Sequence, residues 1–301
     1  MQMAQKPVLK NAQDFIEFFR RGGEYYDRQY LPNLMTDNRP DPHALKVLGE
    51  ALLTDNDDVR DRIVRLLQEV AYLDYPAYEL RTPEIIDLLI GPGFAKLDGA
   101  RSDAMDLLRG RASTATLSRY GDVFLKALKE DPGGSVLLLI AKAKPEGARE
   151  EVDRLSQLPR WKDNESMRIA RAAFGDTSIE DEFIAGAKQK EDAGDGIGLG
   201  EALNPLVRIG TQRSLQAVCL RMRSPLIIHR PGVQQESVRL RVMSALIYAF
   251  PEEYDLLKPS SVWEDTDYIR VEKFCTQKTG VRYDGIPRPE FFTTLPDVRA
   301  E

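Results

Sequence analysis

Arginine is concentrated in one stretch of the chain. Arg208, Arg213, Arg221, Arg223, Arg230, Arg239 and Arg241 all fall between Pro205 and Arg241, with no lysine and a single acid, Glu236. A guanidinium offers a rigid fork of donors that grips a carboxylate or a phosphate at two points. Such a stretch can capture an anionic partner, or it can pair within the protein. The segment before it, Glu146 to Glu201, holds 14 acids against 8 bases and supplies the internal partners. Salt bridges between neighbouring elements are the simpler expectation, an acidic protein partner the next and nucleic acid the last. The net charge is −6, the opposite sign to that of most nucleic-acid-binding domains.

Other reactive side chains are few. His43 and His229 have no metal-ligand neighbour at i+3 or i+4 and stand in no nucleophile motif. Cys219 and Cys275 form neither a disulfide framework nor a zinc pattern and are expected to be small buried hydrophobes. The run Gly194-Asp195-Gly196-Ile197-Gly198-Leu199-Gly200 is dense in glycine, but no strand precedes it and no Gly-Lys-Ser/Thr follows. A phosphate cradle needs that context, so a flexible loop between helices is expected. Glu150-Glu151-Asp153 and Glu180-Asp181-Glu182 point in different directions around a helix and read as solvated faces, with Glu180 to Glu182 also favoured in a first turn. No catalytic residue, no metal and no cofactor is expected.

The elements that position these residues show in the apolar spacing. Three segments align without gaps: Asp58-Val59-Arg60, Ser166-Met167-Arg168 and Ser237-Val238-Arg239, each after an acid, Asp57, Glu165 or Glu236. Each opens an apolar stripe at steps of three and four, such as Val59, Ile63, Leu66, Leu67 and Val70. Arg60 to Arg168 is 108 residues and Arg168 to Arg239 is 71, three steps of 36 and two of 35.5. Weaker copies begin near Gly99, Gly134 and Glu201, and the last two lack the arginine. A second helical pattern precedes each copy, within 44–53, 84–89, 121–128, 146–158, 178–187 and 212–222. Phe174-Gly175-Asp176-Thr177 and Ile209-Gly210-Thr211-Gln212 each stop one helix at glycine and cap the next, 35 residues apart.

A repeated helix, acidic turn and Asp/Ser-Val/Met-Arg helix start resembles a HEAT/armadillo-type repeat over roughly residues 42 to 258. The resemblance implies an all-α fold, a right-handed α-solenoid of about six helix pairs. It also implies that Asp58 with Arg60, and Arg168 and Arg239, form a ladder between neighbouring repeats, broken where the arginine is missing. Residues 1–41, with Phe15, Phe18, Phe19, Tyr25, Tyr26 and Tyr30, read as an aromatic cap on the array, and 259–301 as a last helix and extended tail. Phe291 and Phe292 in that tail are expected to fold back near Trp263 or Phe274.

On the second helices, Ser237, Arg241, Ser244 and Tyr248, and likewise Asp58, Arg62, Arg65 and Glu69 with Tyr72 one turn on, lie off the apolar stripe and are placed to face a ligand. The expected partner-binding residues are therefore Arg62, Arg65, Arg208, Arg213, Arg221, Arg223, Arg241 and Tyr248. The expected function is a non-catalytic scaffold for a protein or peptide. The alternative is a nucleic-acid- or phosphate-ligand-binding repeat protein, or an enzyme, using the arginines of 208–241. The longest apolar run, Val136 to Ala141, is too short to span a membrane, and MQMAQKPVLKN lacks the apolar core of a signal peptide. The expected location is the cytoplasm, or outside it if a signal has been removed.

Overall fold

The computed structural model describes residues 8–24, 28–73, 79–80, 82–228, 236–258 and 265–289. Among them the chain is all-α, with sixteen α-helices and two hairpins whose strands are two residues long. Its contacts divide it into two units, Met1–Leu139 and Ile140–Glu301. That division has no marker in the sequence pattern.

The first unit opens with α1 (Ala12–Arg20), which buries Phe15, Ile16 and Phe19 and is capped by the Asn11 side chain. The hairpin of β1 (Met35–Thr36) and β2 (Arg39–Pro40) turns on Asp37 and Asn38. Both turn residues have positive φ, the geometry a two-residue hairpin loop requires. Asp41 then caps α2 (Pro42–Thr54), which starts with proline at its first position. There follow α3 (Asp57–Leu73), α4 (Pro83–Ile90), α5 (Gly99–Arg111), α6 (Thr114–Ser118) and α7 (Gly121–Glu130). The division between units falls inside α8 (Gly134–Ala143). Helix α1 packs on α2 and α3, α2 on α3 and α4, and α3 on α5.

The largest fully buried side chain of this unit is a charged one, Arg60. Its Nε donates to Asp98 Oδ2 at 2.6 Å, and its other nitrogens donate to the carbonyls of Pro92 and Gly93. Asp98 is also the N-cap of α5, accepting from the Arg101 N–H at 3.0 Å. Burial works against the Asp98 charge, but the Arg60 and Arg101 hydrogen bonds outweigh it and hold the carboxyl below its ordinary pKa. Arg60 thus ties the start of α3 to the start of α5.

The second unit contains α9 (Ala148–Ser156), α10 (Glu165–Ala173), α11 (Thr177–Asp192), α12 (Gly196–Ile209) and α13 (Gln212–Leu220). A hairpin of β3 (Ile227–Ile228) and β4 (Glu236–Ser237) leads into α14 (Val238–Ala249), then α15 (Tyr254–Leu257) and α16 (Asp265–Thr279). Helix α10 packs on α11 and α12, α12 on α13 and α14, and α13 on α16. The two glycine stops hold: Gly175 and Gly210 take positive φ, and Asp176 and Thr211 cap the helices after them. Val59, Met167 and Val238 are all buried. Asn56 and Asn164 cap the main-chain N–H groups of Val59 and Met167, whereas Ser237 caps Leu240, so Val238 sits two positions earlier in its helix.

Three expectations are corrected here. First, the glycine-rich run is no loop: Asp195 caps α12 through the Gly198 N–H at 2.8 Å, and Gly196, Gly198 and Gly200 lie in its first turns. A Cβ on Gly196 would sit 2.2 Å from the Ile227 carbonyl oxygen, so glycine is what lets β3 lie against the helix. Second, the cysteines are bonded to each other. Cys219 on α13 and Cys275 on α16, both wholly buried, form a disulfide with Cα atoms 5.7 Å apart. Third, Arg168 is not a ladder residue. Its side chain is 35% exposed and pairs at 2.5 Å with Glu182, itself mostly exposed, while stacking on Phe183. Arg239 is buried, with its guanidinium 4.3 Å from the Tyr268 ring centre. The expectations for Tyr25, Tyr26, Trp263, Phe291 and Phe292 lie outside the described residues.

Candidate functional site

Two charged grooves collect most of the expected binding residues, one in each unit. The first, about 560 Å³, runs along α3 beside the end of α1. Asp58, Arg62, Arg65 and Glu69, the four described positions assigned to the ligand face of α3, all line it. Phe19, Glu24, Arg28 and Asp61 complete the lining. Opposite charges pair along it: Arg28 with Glu69 at 2.8 Å, Arg65 with Asp61 one turn before it on α3 at 2.8 Å and Arg62 with Glu24 at 3.6 Å. Arg62 also donates to the Phe19 carbonyl at 2.9 Å. Asp61 is pushed up to about 6, by burial first and then by a hydrogen bond and charge repulsion from Asp103. The side chain of Tyr72 lies outside the described residues.

The second groove, about 480 Å³, lies between the C-terminal half of α11 and the exposed side of α13. Arg213, Arg221 and Arg223 line it with Lys188, Glu191, Gln216, Ile184, Ala217, Leu220 and Ile286. Its two deep arginines are fixed. Arg221, with a 7% exposed side chain, meets Glu191 at 3.1 Å and donates to the Ala217 carbonyl at 2.8 Å. Arg223 grips both oxygens of Glu272 at 3.0 and 3.2 Å, donates to the carbonyls of Tyr283 and Ile286, and stacks on the Tyr283 ring. Arg288 adds a further bond to Glu272 at 2.8 Å. Burial opposes the Glu272 charge, yet these arginines hold its carboxyl below the usual range. The segment 281–288 is thereby strapped to α13 and α16, beside the disulfide, and the Tyr283 hydroxyl donates to the Cys219 carbonyl at 2.9 Å. At the rim, Arg213 pairs with Asp181, and Lys188 pairs with Asp192 at 2.9 Å; all four side chains are at least half exposed.

The remaining expected residues lie elsewhere. Arg208 is half-buried in the last turn of α12, and Arg241 reaches Glu236 at 3.8 Å. Tyr248 has Lys142 over its ring at 5.3 Å, and that ammonium donates to the Tyr248 carbonyl. Arg230 lies outside the described residues. The acidic clusters are split rather than uniformly solvated: Glu151 is buried against Arg154, and Glu180 is buried and accepts from the Thr211 hydroxyl, while Glu150, Asp153, Asp181 and Glu182 are exposed. The half-buried Ile184, Leu220 and Ile286 of the second groove are not among the expected binding residues; Ile184 belongs to the apolar pattern of 178–187, which marks it as apolar but not as reachable. Among the described residues no group of His, Cys, Asp and Glu is arranged to hold a metal, and no helix is long and apolar enough to cross a membrane.

No family model matches this chain, and comparison with curated proteins and with solved structures finds no match.

Proposed function

We propose that this chain is a non-catalytic scaffold of HEAT/armadillo type, whose helix pairs stack as a right-handed solenoid and whose grooves take a protein or peptide. The order of packing supports the repeat reading. In the first unit, second helix meets second helix (α3 on α5) and first meets first (α2 on α4); in the second unit, α10 meets α12, α12 meets α14 and α11 meets α13. That is the nearest-neighbour pattern of stacked repeats. The Arg60–Asp98 bond, 38 residues apart, joins one step to the next.

The observation that carries the binding reading is the composition of the second groove: half-buried aliphatic side chains beneath a rim of exposed, paired charges. A buried apolar centre with a polar rim is how protein interfaces divide their energy. The nucleic-acid alternative loses support from the same contacts. Arg213, Arg221, Arg223 and Arg241 are each matched to a carboxylate, and α11 places Asp181 beside Arg213 and Glu191 beside Arg221, where a polyphosphate would be repelled. The test is affinity capture of the full chain from nuclease-treated extract of its native host, with quantitative mass spectrometry, in parallel with the K188E/R213E variant. A defined protein lost with the variant is the expected result. Nucleic acid retained without nuclease, and no protein with it, would refute the scaffold reading.

A further inference from the structure

The disulfide between α13 and α16 is flanked by a short strap, residues 281–288, that has one footing on each helix. On the α13 side, the Tyr283 hydroxyl donates to the carbonyl of Cys219 itself at 2.9 Å. Arg223, just past α13, donates to the carbonyls of Tyr283 and Ile286 and lies 4.7 Å from the Tyr283 ring centre. On the α16 side, the Thr279 hydroxyl donates to the carbonyl of Cys275 at 2.7 Å and accepts from the Val281 N–H at 3.3 Å. Arg288 reaches back to Glu272 at 2.8 Å. Gln212 and Gln216 of α13 both donate to the Thr279 carbonyl, at 3.1 and 2.6 Å. Val281 and Tyr283 are buried, and both cysteines are wholly buried.

Reduction begins with a thiolate attacking one of the two sulfurs. A buried sulfur is out of its reach until the cover lifts. The coupling is reciprocal. The strap holds to α13 and α16 at once, and the disulfide is the covalent link that keeps those two footings together. A cross-link narrows the set of open states and so favours the closed one.

We propose that 281–288 is a redox-sensitive strap, closed while Cys219 and Cys275 are bonded and released when they are reduced. Release withdraws Ile286 from the second groove, and Arg223 loses the carbonyls of Tyr283 and Ile286. The reductant is a dithiol. It gives two electrons and two protons to the bond, leaving two thiols on the chain and a disulfide on the reductant. The inference stands apart from the scaffold reading, since its readouts need no partner.

The experiment follows the full chain, air-oxidised and then in dithiothreitol, by hydrogen exchange, with free thiols counted by iodoacetamide alkylation and intact mass. The oxidised chain should show no free thiol and the reduced chain two. On reduction, the amides of 281–288 should exchange about tenfold or more faster, while α10 to α12 stay within about twofold. C219A/C275A should exchange like the reduced parent without any reductant. Y283F keeps the ring but loses the bond to Cys219, and should speed reduction about fivefold. Strap exchange that is unchanged once both thiols are free would overturn the proposal. So would equal acceleration across α10 to α12, which would make the bond a staple of the whole unit. Two free thiols in the air-oxidised chain, or a reduction rate that Y283F leaves unmoved, would overturn it as well.

Discussion

The two units begin a helix with the same local text and use it differently. In α3, Asn56 caps the Val59 N–H and Arg60 follows; in α10, Asn164 caps the Met167 N–H and Arg168 follows. Arg60 is fully buried and reaches the cap of α5, two helices later. Arg168 stops at the surface on Glu182 and Phe183. A motif fixes where an arginine sits on its helix, but the next element decides whether it is buried. Asp98 and the carbonyls of Pro92 and Gly93 stand ready for Arg60, whereas α10 faces α11 and α12. In the second unit other groups hold the fold together: Arg223 with Glu272, and a covalent bond between α13 and α16.

That contrast breaks most sharply at Arg60. R60A takes the guanidinium away from the buried Asp98 side chain, and the loss of one member of a buried pair is expected to lower stability by about 3–5 kcal/mol. Chemical denaturation measures it, and the R60M/D98N double variant should recover most of the loss, because no uncompensated charge remains. The disulfide is the counterpart in the second unit. It closes a separation of 56 residues, and C219A/C275A should lose about 2–4 kcal/mol. Unfolding of the parent with and without reductant supplies the same comparison; identical denaturation midpoints would remove the bond from the account.

The next effect is smaller and has the opposite sign. Asp61 titrates at about 6, above the ordinary carboxyl value near 3.9. A carboxyl raised on folding adds stability in its protonated form. That contribution is complete below about pH 3.9 and disappears as pH rises through 6. At pH 8 the charged Asp61 is a liability beside Asp103, so D61N should stabilise the chain there by up to about 1 kcal/mol after solvent screening. The gain should vanish near pH 4. The smallest effect belongs to Arg168: R168A should move stability by no more than about 0.5 kcal/mol, an exposed pair being worth little. A loss comparable to that of R60A would restore Arg168 to the ladder.

The helices were legible because apolar residues at steps of three and four mark one buried stripe, as in Val59 to Val70, and because caps such as Asp176 and Thr211 announce themselves. The groove-lining face of α3 was legible for the same reason, since residues off the stripe must face something else. Features that depend on a distant partner were not. Glycine density suggested a loop at 194–200, yet the approach of Ile227 is what demands glycine there. Cys219 and Cys275 look like ordinary core residues until α13 and α16 meet. Arg221 and Arg223 resembled free binding groups because Glu191 lies 30 residues earlier and Glu272 lies 49 later.

The most direct measurement of the central claim is hydrogen exchange of the full chain, with and without a saturating amount of the protein captured from its native host. Slowed exchange is expected in the C-terminal half of α11 and along α13 to Arg223, with α3 unchanged. Protection confined to α3, or spread evenly over the arginines of 208–241 irrespective of the groove, would contradict it.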